Sequence, residues 1–178
     1  MKRSKKKIIG IFGGTFDPPH RGHVKIASKS IKILKLDKLY WLITNQNPFK
    51  PKPYYSNLVR IKKSKQIIKK KDNILIKNLD KIVRSSQTYK TVKYLSLKHK
   101  NAIFFLILGS DNLINFHKWK NWKELTKITK LVVFSRTGYD AKAKKSVIVN
   151  FLKQKNIIFV KNYKINISSS KLRENLLS

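Results

Sequence analysis

The stretch Ile8-Ile9-Gly10-Ile11-Phe12-Gly13-Gly14-Thr15-Phe16-Asp17-Pro18-Pro19-His20-Arg21-Gly22-His23 constrains the fold more than any other part of the chain. Its apolar run over 8–12 is too short for a helix and predicts a buried strand that stops at paired glycines. Pro18 and Pro19 fix φ and prevent the strand from continuing, so the loop is stiff before any ligand arrives. A helical pattern begins at His20, which places His20 and His23 on one side of its first turn, able to point at a single group. Gly13 and Gly14 carry no Cβ, so the main chain can come close to a ligand, and the free N–H groups of the helix start favour an anion.

At 178 residues the chain is long enough for one domain with a sizeable core. No apolar run approaches the roughly 18 residues of a bilayer span, and the basic opening over 2–7 is followed by too short an apolar segment for a secretory signal, so a cytoplasmic location is expected, with no membrane partner. With no cysteine there is no disulfide, thiolate metal site or cysteine nucleophile. The formal net charge of +34 comes from 42 Lys and Arg against 8 Asp and Glu. A polyanion partner would use such charge. Lysine nevertheless falls on nearly every predicted exposed face instead of one stripe, so a compositional bias is favoured and nucleic acid is not the expected partner.

Along the chain, Val24, Ala27, Ile31 and Leu34 repeat at helical spacing and 39–44 is a second buried strand. Such a strand-helix-strand unit is right-handed and puts the glycine loop at the carboxyl ends of the strands. Leu58, Ile61, Lys65 and Ile68 mark another helix and 74–79 a third strand. Thr88 is a candidate N-cap for a helix with Val92 and Leu95 inside. The run 102–108 reads as a central parallel strand buried on both faces. Asp111, just past it, suits ribose hydroxyls or a metal, or the N-cap of a short helix near Leu113. Two more strands are expected at 131–135 and 157–160, with a helix marked by Val147, Phe151 and Leu152 between them.

The eleven positions from Gly13 to His23 resemble the signature of the nucleotidyltransferase superfamily with the His-x-Gly-His motif, in the form seen in bacterial nicotinate-nucleotide adenylyltransferases. Ile167-Ser168-Ser169-Ser170-Lys171-Leu172-Arg173 is similar to that superfamily's Ile-Ser-Ser-Thr-x-Ile-Arg segment, where hydroxyls and free N–H groups at a helix start, with an arginine one turn on, make a polyphosphate cradle. Between them, Ser86-Gln87-Thr88 is similar to Ser-Tyr-Thr with Gln87 for the aromatic, Gly109-Ser110-Asp111 precedes a tryptophan pair, and Arg136-Thr137-Gly138 resembles an Arg-Pro-Gly turn.

The resemblance implies a single nucleotidyltransferase domain over 1–178 with an α/β, Rossmann-like, doubly wound and mostly parallel sheet flanked by helices. It implies transfer of AMP from ATP to nicotinate mononucleotide, giving deamido-NAD and pyrophosphate in NAD biosynthesis. His20, His23 and Arg173 would be catalytic. ATP would lie against Gly13, Gly14, Thr15, Phe16, His20, His23, Lys50, Arg136, Ile167, Ser168, Ser169 and Arg173. The nicotinate nucleotide would lie against Gly14, Thr15, Thr88, Gly109, Asp111 and Trp119, with Trp122 left in the core. Asp17 would orient the loop. Mg²⁺ would be bound mainly through ATP phosphates, with no protein metal site, and a homo-oligomer is left open. The alternatives are adenylyl transfer to nicotinamide mononucleotide or phosphopantetheine, and a basic nucleic-acid-binding module.

Overall fold

Side chains alternate across a strand, so strands this apolar need cover on both faces. The computed structural model describes residues 6–69, 72–153, 155–161 and 167–177; most of the basic opening lies outside them. In chain order the elements are β1 (Ile8–Gly14), α1 (Arg21–Leu34), β2 (Lys38–Ile43), α2 (Asn57–Ile68), β3 (Ile74–Lys77), α3 (Thr88–Lys98), β4 (Ile103–Gly109), α4 (Ser110–Ile114), α5 (Trp122–Ile128), β5 (Thr129–Phe134), α6 (Asp140–Lys144), α7 (Val147–Leu152), β6 (Ile157–Val160) and α8 (Ser169–Leu177).

All six strands join one parallel sheet in the order β3-β2-β1-β4-β5-β6. The period of two sorts the core. Ile9 and Ile11 of β1, Leu106 and Leu108 of β4 and Leu131 and Val133 of β5 face Val92, Leu95, Leu113, Leu125 and Ile148 from α3, α4, α5 and α7. Phe12, Leu39, Trp41, Ile107 and Val132 face the other way, against Ala27 of α1 and Ile68 of α2. This is the doubly wound architecture, with its strand order reversing between β1 and β4. Among the described residues no helix is long and apolar enough to cross a membrane.

The structure corrects several of these expectations. Leu58 is 79% exposed, and α2 instead buries Arg60, Ser64 and Ile68, because the inward face is set by where Arg60 reaches. Helix α7 forms where it is expected, with Val147 and Phe151 half exposed and Ile148 and Val149 buried. A helix of six residues is too short for apolar spacing to fix its face. Gln87, not Thr88, is the N-cap of α3. Helix α4 starts directly at Ser110 with Gly109 as its cap, so Asp111 lies inside the first turn. Trp122 is only partly buried and packs edge-on against Phe151 at 4.9 Å.

Arg60 is 2% exposed and ties together the loops at this edge of the sheet. Its guanidinium donates to the carbonyls of Tyr55 at 3.0 Å, Thr15 and Thr44 at 2.7 Å each, and Asn45 at 3.4 Å. A buried cation is tolerable here because its donors meet carbonyl oxygens that would otherwise lack partners. Arg60→Met keeps the apolar stem and strands those oxygens. The expected loss is about 3 kcal/mol in urea unfolding; a loss below about 1 kcal/mol would show that water replaces the guanidinium.

Candidate active site

Where the strand order reverses, β1 and β4 send their connections to opposite faces and a crevice opens at the carboxyl edge. A cavity of about 660 Å³ occupies it. A Cβ built on Gly13 would meet nothing within 4 Å, so this part of the main chain opens onto the space. Phe16 takes φ 49°, a left-handed conformation unusual for a bulky residue. Its ring is held by stacking on Trp41 at 4.3 Å and by edge contacts with Phe12 and His23. The Asp17-Pro18 peptide bond is cis.

His20 caps α1 in extended backbone, and its N–H donates to Nδ1 of His23 at 3.2 Å. Neutral His23 therefore carries its hydrogen on Nε2. The two rings stack with centroids 3.7 Å apart. Burial, then the charge of Arg136, lowers the His20 pKa to about 4. Burial, followed by His20, Lys50 and Arg136, pushes His23 well below its ordinary value. Both are neutral at pH 7, which is what allows them to stack.

The carboxyl-terminal segment meets this loop. Ser169 Oγ donates to the Pro18 carbonyl at 2.9 Å, and Arg173 Nη1 donates to the Asp17 carbonyl and lies 3.4 Å from its carboxylate. Groups more than 150 residues apart in sequence thus border one space. On the opposite wall Asp111 pairs with Arg136 at 2.5 Å. The Arg136 N–H donates to Ser110 Oγ and Asp140 Oδ1, and Ser135 Oγ donates to Asp140. A Cβ on Gly109 would fall 2.5 Å from Asp111 Oδ1, so only glycine leaves that carboxylate where it is. Trp119 lies over Phe116 at 4.9 Å.

Gly13, Gly14, Thr15, Phe16, His20, His23, Lys50, Thr88, Gly109, Asp111, Trp119, Arg136, Ile167, Ser168, Ser169 and Arg173 all line this cavity, so none of the sequence-derived candidates falls elsewhere. Lys118, Lys120 and Asp80 line it too and were not singled out from sequence. Asp80 Oδ2 accepts from Thr44 Oγ1, Asn45 N and Ser86 Oγ at 2.9, 2.7 and 2.6 Å. The same signal that marks Asp111, an acid shortly past a strand, would have found Asp80. The two lysines flank Trp119 but are hidden by the abundance of lysine. Among the described residues, Lys50, Lys118 and Lys120 have no acid within ion-pair distance. The wall therefore carries uncompensated positive charge.

The described residues include no group of three or more His, Cys, Asp or Glu side chains arranged to hold a metal. With Asp111 paired to Arg136 and Asp80 engaged by three donors, the side chains suit a divalent ion that arrives on phosphate oxygens and keeps its water.

A family model described as cytidylyltransferase-like matches residues 11–175. A probable nicotinate-nucleotide adenylyltransferase of Pelagibacter ubique is 46% identical over 170 residues, which cover 96% of this chain and 94% of the relative. One of Clostridium tetani, with the same description, is 37% identical over 97% of this chain and 87% of its own length. Among solved structures, the nicotinic acid mononucleotide adenylyltransferase of Plasmodium falciparum complexed with NaAD superimposes with a TM-score of 0.74 at 21% identity, covering 94% of this chain and 83% of that one. At that identity the likeness speaks for the fold alone. With a family model across 11–175 and a relative 46% identical along nearly all of its length, the chain belongs to the cytidylyltransferase-like family and, within it, to the nicotinate-nucleotide adenylyltransferases.

Proposed function

We propose that this chain transfers the adenylyl group of ATP to nicotinate mononucleotide, releasing pyrophosphate and giving nicotinate adenine dinucleotide for NAD biosynthesis, with residues 1–178 acting as one domain in the cytoplasm. The observation that carries this reading is the enclosure of one cavity by the neutral histidine pair at the start of α1 and the serines and arginine at the start of α8. Family membership supports it, since the relatives above carry that activity in their names.

In such a transfer a phosphate oxygen of the acceptor attacks the α-phosphorus as pyrophosphate departs, so no protein nucleophile is required. Rate then comes from alignment and from neutralising charge on the phosphoryl oxygens. His23 would donate through Nε2, with His20 stacked beside it. The open main chain at Gly13 would let phosphate oxygens approach, while Gly14, packed against the Phe16 ring, continues the loop with Thr15 and Phe16. Lys50, Ser168, Ser169 and Arg173 would meet the β and γ phosphates, with Ile167 and Arg136 bordering the adenylate. Mg²⁺, carried by the triphosphate, would supply further neutralisation of the leaving group.

At the acceptor end, Thr88, Gly109, Asp111 and Trp119 would hold the nucleoside. Lys118 and Lys120 on either side of Trp119 make charge the basis of choice. The pyridinium ring of nicotinate mononucleotide is offset by its own carboxylate, whereas the nicotinamide form presents the ring's positive charge alone. A wall of unpaired lysines attracts the first and repels the second.

The direct test is pyrophosphate release from ATP and Mg²⁺ with each of three acceptors. Nicotinate mononucleotide is expected to give the highest kcat/KM, by at least about tenfold over nicotinamide mononucleotide. Release with phosphopantetheine alone would reassign the acceptor, and no release with any of them, together with tight salt-sensitive RNA binding, would make the chain a nucleic-acid module.

His20→Ala and His23→Ala are each expected to lower kcat by about 100-fold or more while circular dichroism stays native; an unfolded variant would make the histidines structural. The pH behaviour follows from the lowered pKa values. The unfolded chain binds protons at these histidines more tightly than the folded one. Their contribution to stability is therefore complete above 6.5; that of His20 is lost as the pH falls towards about 4, and that of His23 falls in the same direction. Imidazole ¹⁵N spectra of the substrate-free protein should show His20 neutral down to pH 5 and His23 protonated on Nε2. A His20 midpoint near its ordinary value would mean that the cavity is wetter than its burial implies.

A further inference from the structure

Asp17 belongs to the glycine-histidine loop, yet it does not line the cavity and is only 3% exposed. An anion buried beneath a space suited to a triphosphate costs desolvation and repels the ligand unless its charge is used. Its partners come from two distant segments. Oδ1 accepts the N–H of Tyr55 at 2.9 Å and Oδ2 that of Tyr54 at 2.8 Å. Arg173 Nη1 lies 3.4 Å from Oδ2 and also donates to the carbonyl of Asp17 itself. Tyr54 and Tyr55 close the loop that brings Lys50 to the cavity, and the Tyr55 carbonyl is in turn held by Arg60.

We infer that Asp17 is a positioning residue for the triphosphate: one buried carboxylate fixes both the guanidinium of Arg173 and the Lys50 loop, so that two cations from remote parts of the chain face the same phosphates. The inference rests on the adenylyl-transfer reading. Arg173, with the nearby Arg60, offsets the charge of Asp17, and with Nη1 spent on Asp17 and Nη2 on Ser170 Arg173 keeps further N–H donors for a phosphate. The tyrosine amides hold the carboxylate in one orientation, which makes the guanidinium plane a fixed feature of the cavity wall instead of a mobile side chain.

The test is Asp17→Asn in the full chain, which keeps the size of the side chain and one acceptor oxygen but loses the charge. Binding of inorganic tripolyphosphate by calorimetry is expected to weaken by about tenfold, with KM for ATP rising by a similar factor. Arg173→Gln should weaken tripolyphosphate binding comparably, and the double variant should bind no worse than the weaker single one, since the two losses are one loss. Losses that multiply in the double variant would overturn the coupling. Unchanged tripolyphosphate binding beside a lowered Tm would make Asp17 merely structural, and tighter binding would make it a competitor for Arg173. Should Asp17→Asn not fold, hydrogen exchange at the Tyr54 and Tyr55 amides in Arg173→Gln reads the same link. Faster exchange than in the unaltered chain is expected, and equal rates would overturn the inference. An unaltered chain that binds neither tripolyphosphate nor ATP would instead sink the adenylyl-transfer reading itself.

Discussion

The reversal of strand order between β1 and β4 is the constraint on which the rest of the molecule depends. A parallel strand has to hand the chain to a crossover, and right-handed crossovers from β1 and β4 leave towards opposite faces of the sheet. Helix α1 packs against the face that holds Trp41 and Ile107, while α4 packs with Leu113 against the face that holds Ile11 and Leu106. Nothing from either connection covers the carboxyl edge between the two strands. The glycine turn after β1 and the Asp111 turn after β4 are therefore set opposite each other across a gap by backbone topology alone. Every side chain of the candidate site is then a matter of which loop residue faces that gap.

Half of the 8 acids of this basic chain lie around that gap, where it needs rigid walls. Asp17, Asp80, Asp111 and Asp140 all lie in or next to turns that follow strands, and each accepts hydrogen bonds or an ion pair from its neighbours. Asp17 and Asp80 bind main-chain N–H groups of the segment after β2, and Asp140 does the same for Arg136 after β5. Carboxylates used in this way stiffen turns that have no regular ladder of their own. They also leave the lysines of the wall unpaired. Loops ordered by internal anions, presenting external cations, are suited to a substrate that brings its own negative charge.

The sequence carried the fold more fully than it carried the outer helices and the lysines. Parallel strands covered on both faces read as continuous apolar runs, so 102–108 and 131–135 stand out even among many lysines, and the glycine-proline loop could hardly be anything but a turn. The inward face of α2 was misjudged because apolar spacing says which residues share a face but not which face is inward. In α2 a buried arginine decided it, and its carbonyl partners come from Thr15, Thr44 and Asn45, residues that no local pattern connects to Arg60. The caps of α3 and α4 moved because those helices start as soon as the preceding segment allows, and main-chain geometry at Gln87 and Gly109 serves without a hydroxyl. The meeting of the chain's two ends was legible only through the resemblance of both motifs to one family. Spacing within either motif does not encode the distance between them.

It remains to ask why a chain so rich in lysine places histidines at 20 and 23. Two ammonium groups with the separation of these stacked rings would repel each other strongly in a buried setting, and each would pay desolvation there. Neutral imidazoles avoid both costs and still offer N–H donors. In the proposed reaction the balance changes when the triphosphate enters: burial and Arg136 hold the histidine pKa values down, whereas adjacent phosphate oxygens favour the protonated ring. Positive charge then develops where and when negative charge has to be met. A lysine would carry that charge at all times, and it would open the packing of Phe16, Trp41 and His23 on which the shape of the loop depends.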